Sequence, residues 1–121
     1  MKTSLALFAS AWLLPQIVHG SIELGIGYGT SGYYEDFGND GECKNINSEA
    51  LGHVVDVDID GGNCVFWQNK NCNGHHTDRV YDGVARYFND ICDGKLENKI
   101  SSWKCCTGST WCAGDLPSCA T

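Results

Sequence analysis

From Leu51 onward apolar and polar residues alternate: Val55, Val57 and Ile59 stand at every second position, and Asp56, Asp58 and Asp60 fill the places between. Successive side chains of a strand point to opposite faces, so this period predicts a half-buried strand with one carboxylate face. Gly61-Gly62 ends it and Cys64-Val65-Phe66-Trp67 opens the next apolar run, an order that predicts a hairpin. Ile22, Leu24, Ile26 and Tyr28 predict an earlier strand within Ser21 to Gly32, read as an edge strand that runs through GIGYGTSG into a flexible connector. Ile100, Ser102 and Lys104 alternate with Ser101, Trp103 and Cys105 in a last strand, and Val84 to Phe88 suits a short helical turn. Thr107 to Thr121 has no period and reads as a cysteine-containing extension stapled onto the domain.

The residues before these strands have a different character. Lys2 supplies a positive end, Leu5 to Leu14 an apolar run and Val18-His19-Gly20 a cleavable site, so residues 1–20 read as an export signal and the chain as secreted. The apolar run is too short to cross a bilayer. All eight cysteines, Cys43, Cys64, Cys72, Cys92, Cys105, Cys106, Cys112 and Cys119, follow it, as expected of a chain that oxidises them in an export compartment. Eight cysteines allow roughly a hundred pairings, so connectivity stays open, but an even number predicts four disulfides and no free thiol. Neighbours on a strand project oppositely, so Cys105 and Cys106 are expected to take different, distant partners, one pinning the domain and the other the tail.

Charge narrows the function. The chain carries eight basic and fifteen acidic residues, and loss of Lys2 with the leader leaves a formal charge of −8. Such a surface repels phosphate backbones and anionic membranes, which argues against nucleic-acid partners and suits cationic ones.

An aromatic residue followed at the seventh position by glycine occurs twice, in YYEDFGNDG (Tyr33 to Gly41) and in FWQNKNCNG (Phe66 to Gly74). Each copy leads to a later strand, VVDVDI from Val54 and ENKISSWKC from Glu97. On these residues the chain resembles the βγ-crystallin superfamily, and especially its small cysteine-rich members secreted by fungi. The resemblance covers roughly Tyr33 to Cys106 and implies an all-β fold: two Greek keys packed as a sandwich over residues 21–106. The second copy carries it best, with Trp67 as the aromatic, Gly74 at a backbone position that other residues avoid, and Asn98, Ser101 and Ser102 in the closing segment. In the first copy Gly52, His53 and Asp56 stand where amides and a hydroxyl belong.

The same resemblance implies a calcium site at Glu97, Asn98 and Ser101, with Glu97 replacing the shorter Asp or Asn. Calcium takes oxygen ligands of these kinds, but the first copy lacks its half of the signature, so only weak binding is expected and no cofactor is required. DVDIDG (Asp56 to Gly61) opens like an EF-hand loop, yet Trp67 stands where that loop needs a bidentate Glu, and the segment alternates like a strand. Gly27, Gly29 and Gly32 form a GxGxxG string without the strand-then-helix setting a dinucleotide requires. His75-His76 would face opposite sides of a strand, which suits a polar loop better than one metal.

For catalysis Glu35, Asp36, Asp56, Asp58, Asp60 and Asp78 offer carboxylates without singling out a pair, and His75, Glu35 and Arg79 make a paper ribonuclease trio. A small secreted ribonuclease or glycosidase is therefore the alternative. The leading expectation is a secreted, non-enzymatic binding module of effector or antimicrobial, toxin-like type, directed at an extracellular protein or glycan on a host or microbial surface.

Overall fold

The alternating segments form strands in a computed structural model of the chain, which describes residues 22–81, 86–107, Cys112 and Cys119. The expected export signal, residues 1–20, lies outside the described residues, as does most of the tail after Thr107. In chain order the strands are β1 (Ile22–Tyr28), β2 (Gly32–Gly38), β3 (Cys43–Asn45), β4 (Val54–Asp60), β5 (Asn63–Asn69), β6 (Asn73–His76), β7 (Val80–Tyr81), β8 (Arg86–Tyr87) and β9 (Ser102–Cys106). The fold is all-β. A first antiparallel sheet has the order β2-β1-β4-β8, and a second has β3-β9-β5-β6, with β7 also on β5. Each half of the chain thus lends a short strand, β3 or β8, to the sheet built mainly by the other half.

Several local readings change in this setting. β1 lies between β2 and β4 and is not an edge strand, because both its neighbours complete its ladder. GIGYGTSG is a tight β1–β2 hairpin, with Gly29 at φ 63°, and no helix follows it. Gly61-Gly62 does not close a hairpin: β4 belongs to the first sheet and β5 to the second, so the two glycines carry the chain across the sandwich. Arg86 and Tyr87 are extended and pair with β4; the helical turn comes after them, at Phe88–Asp90. The two aromatic-to-glycine spacings occupy unlike places. Trp67 is in the first strand of the β5–β6 hairpin and Gly74 in the second, whereas Tyr34 is already in the second strand of β1–β2 and Gly41 lies beyond it.

The core forms where the inward faces meet. Ile22, Leu24, Ile26, Val57 and Ile59 come from the first sheet, Cys64, Phe66, Trp103 and Cys105 from the second, and all are buried. Phe88, just after β8, meets the Phe66 ring edge-on at 5.2 Å. Each such side chain contributes roughly 1.5–3 kcal/mol by leaving water. The β4 alternation holds for Val57 and Ile59 but not for Val55. A register shift opposite Gly27/Tyr28 makes a bulge, so Val54 enters the core and Val55 stays half-buried.

All eight cysteines are paired: Cys43–Cys72, Cys64–Cys105, Cys92–Cys119 and Cys106–Cys112. Four disulfides belong to an oxidising or extracellular environment. The adjacent cysteines do diverge, Cys105 to the core and Cys106 to the tail, although the partner of Cys106 is only six residues on. Ser102 joins the β5–β6 turn to β9, its buried hydroxyl donating to the Asn69 carbonyl at 2.5 Å and accepting from the Cys72 amide at 2.8 Å.

Candidate functional site

The outer faces of the two sheets differ. On the second, Val65 and Trp67 are buried in a small apolar cluster with Cys72 and Cys112, so the Cys106–Cys112 link brings Cys112 against that face. Lys104 and His76 flank the Trp67 ring there. The first sheet presents no such apolar cluster among the described residues. Alternation sends Ile22, Leu24 and Ile26 of β1 inward, and therefore Glu23, Gly25 and Gly27 outward.

Register then assembles this outer face. Glu23 lies opposite Phe37 on one side and Asp60 on the other; Gly25 lies between Glu35 and Asp58; Gly27 lies between Tyr33 and Asp56; and Tyr87 on β8 pairs with Asp56. At two of these places the side-chain ends of neighbours fill the space that glycine leaves open. A Cβ on Gly25 would stand 2.3 Å from the Tyr33 hydroxyl, and one on Gly27 would stand 2.1 Å from a carboxylate oxygen of Asp56. The Tyr33 ring therefore lies down over the strand. The result is a shallow depression of about 300 Å³ lined by Glu23, Gly25, Tyr33, Glu35, Asp58 and Asp60. Tyr33, Phe37 and Tyr87 around it are 57%, 56% and 52% exposed, large values for rings that a core would otherwise claim.

Crowded carboxylates hold protons more tightly. Glu23 has a raised pKa, first through its side-chain hydrogen bond with Glu35, then through the charge of Glu35, with smaller contributions from burial, Asp60 and Asp58. Tyr33 is raised as well, chiefly by burial and then by the charge of Glu35, to which its hydroxyl donates at 3.4 Å. Asp36, between these positions, turns inward and pairs with Lys44 at 3.2 Å.

The other expected site residues fall elsewhere. Glu97 is half-buried, Asn98 is exposed at φ 62°, and Ser101 is half-buried, its amide held by the Trp67 carbonyl and its carbonyl by the Ile46 amide. Lys95 and Lys99 share their segment. Among the described residues no group of three or more His, Cys, Asp or Glu side chains is placed to hold a metal ion. DVDIDG is strand β4 with its turn, not a loop between helices. His75 is exposed and His76 buried, on opposite faces as alternation requires. The ribonuclease trio is not brought together: Glu35 is on the outer face of the first sheet, His75 lines a different pocket on the second, and Arg79 bonds Tyr81 at 3.2 Å. Among the described residues no helix is long and apolar enough to cross a membrane.

Sequence reasoning singled out Glu35, Asp56, Asp58 and Asp60 but not their neighbours Glu23, Gly25 and Phe37. The period in Ile22 to Tyr28 carried that signal, because the residues between the apolar ones share the carboxylate face. The chain matches no protein-family model, no curated protein and no solved structure.

Proposed function

We propose that this is a secreted, non-enzymatic binding module, of effector or antimicrobial type, that uses the outer face of the first sheet to hold a cationic extracellular polymer. The observation that carries the reading is the flat, glycine-seated Tyr33 ring amid Glu23, Glu35, Asp58 and Asp60, with Phe37 and Tyr87 exposed beside it. Carboxylates attract ammonium groups, and exposed rings add cation–π contact or stack on sugar faces. Four disulfides suit a protein that works outside the cell. The exchange of β3 and β8 between the sheets supports the likeness to paired Greek keys of βγ-crystallins.

A glycosidase is the second reading, favoured by one raised carboxyl beside another. Glu23 and Glu35 touch through a hydrogen bond, whereas the two carboxylates of that chemistry stand about 5 to 9.5 Å apart with the sugar bond between them. Binding fits the contact better than hydrolysis does.

Titration of the folded protein with oligolysine, glucosamine oligomers and N-acetylglucosamine oligomers tests this function. The two cationic polymers should bind and the neutral one should not. Asp58→Asn with Asp60→Asn should weaken binding about three- to tenfold at low salt, since each exposed pair is worth about 0.2–1 kcal/mol. Equal binding of the neutral oligomer, or an unchanged affinity in that variant, would overturn it.

Protonation separates binding from stability. The folded state raises the pKa of Glu23 above its unfolded value, so the native form holds that proton more tightly and gains stability as pH falls through the folded pKa. The same proton removes a charge from the face, so affinity for oligolysine should fall over the window in which melting temperature rises. Glu23→Gln should raise the melting temperature at neutral pH and remove its share of both responses.

Calcium at Glu97, Asn98 and Ser101 is a further ligand of this reading, and Lys95 and Lys99 in the same segment oppose a dication. A small rise in melting temperature at millimolar calcium, reversed by chelator and reduced in Ser101→Ala, is the expected result. A rise unaffected by Ser101→Ala but abolished in a variant with Asp56, Asp58 and Asp60 neutralised would move the ion to β4.

A further inference from the structure

A second concavity, of about 250 Å³, lies where the ends of β5 and β6 meet the turns after Cys92. Its chemistry is opposite to that of the acidic face. Lys95, Lys99, His75 and Gln68, whose side chains carry nitrogen groups, line it together with buried Leu96 and the Cys92–Cys119 disulfide. Among the described residues no carboxylate lines it.

Local winding builds this rim. The Lys95 amide bonds the Cys92 carbonyl at 3.1 Å, Glu97 bonds Gly94 at 3.3 Å and Lys99 bonds Leu96 at 3.0 Å, a run of tight turns that returns Lys99 to the opening Lys95 already borders. The Cys119 amide donates to the His76 carbonyl at 2.8 Å, so the tail cysteine is held against β6 as well as to Cys92. Neither lysine pairs with a carboxylate among the described residues, although acidic residues outnumber basic ones in the chain by fifteen to eight. In so acidic a protein, two ammonium groups without a carboxylate partner among the described residues, beside an apolar floor, concentrate positive charge at one opening.

From this geometry we infer a binding site for a small organic anion, a carboxylate carried on a compact carbon skeleton of about monosaccharide size. Two ammonium groups make charge-assisted bonds to a carboxylate, while Gln68 and His75 bond hydroxyl groups. Leu96 and the disulfide cover the carbon skeleton and disfavour a fully hydrated inorganic ion. The pocket lies below the roughly 300–1,000 Å³ of sites for drug-sized ligands, which sets the size. Net negative charge slows the approach of any anion, so affinity is in the millimolar range and falls with added salt. This site is separate from the acidic face and does not depend on the function proposed for it.

Glucuronate is the probe, with glucose as its neutral counterpart and inorganic phosphate as the small hydrated anion, each titrated into isotope-labelled protein followed by amide resonances at constant ionic strength. Glucuronate should give saturating shifts confined to Gln68, His75, Lys95, Leu96 and Lys99; glucose should give none, and phosphate weaker ones. Lys95 and Lys99 are exposed, so Lys95→Gln with Lys99→Gln should keep the spectrum elsewhere and weaken glucuronate binding tenfold or more. Shifts that never saturate at tens of millimolar, or that persist in the double variant, would overturn the site. Phosphate binding as tightly as glucuronate, or glucose shifting the same amides, would overturn the organic-anion assignment.

Discussion

Joint replacement of Cys64 and Cys105 by alanine should destabilise the domain by about 4 kcal/mol, the loop-closure value for a cross-link spanning 41 residues. The two residues sit directly opposite each other on β5 and β9, both fully buried in the main core, so the link also fixes the register of the second sheet. Cys106 and Cys112 close a span of only six residues, and their joint replacement should cost about 2 kcal/mol by the same relation. Denaturant midpoints of the two double variants, with slopes checked for equality, measure the difference. Equal losses would mean that loop length does not govern these links. No loss at Cys64–Cys105 would mean that packing alone holds β5 to β9.

Gly62→Ala should be the more severe of two neighbouring substitutions at the crossing between sheets. Gly61 and Gly62 both have positive φ, 92° and 95°, so alanine at either meets a backbone penalty of about 1–3 kcal/mol. They differ in surroundings. A Cβ on Gly61 would have nothing within 4 Å, whereas one on Gly62 would stand 2.4 Å from the Cys106 carbonyl oxygen and 3.2 Å from Ile22. Since the oxygen belongs to backbone, relief requires β9 to move away from the crossing. Gly62→Ala should therefore lose several kcal/mol more than Gly61→Ala and melt correspondingly lower. Similar losses in both would contradict the packing of Gly62 beneath β9. Gly74→Val, at φ 90° and with only the Asn69 side chain in the way, should fall between them.

The acidic face and the basic-rimmed pocket give the molecule two poles. Carboxylates from three strands converge on one sheet, and two of the lysines come from one run of turns beside the other. A single net charge of −7 conceals that separation.

Alternation alone was enough to identify β4 as a strand with Asp56, Asp58 and Asp60 on one face, because a strand's two-residue period is local and covalent. Parity likewise sent His75 and His76 apart and gave Cys105 and Cys106 different partners. An even cysteine number gave full pairing, though not which pairs. What lies beside a strand is not local. Tertiary structure placed β1 between β2 and β4, made Gly61-Gly62 a crossing, sent β3 and β8 to the opposite sheets and set Glu23 against Glu35. The repeated aromatic-to-glycine spacing misled about equivalent positions, since a spacing records distance along the chain and not which strand of a hairpin holds it. Neighbours across a sheet are chosen by which apolar faces bury together, a long-range free energy that no single segment contains.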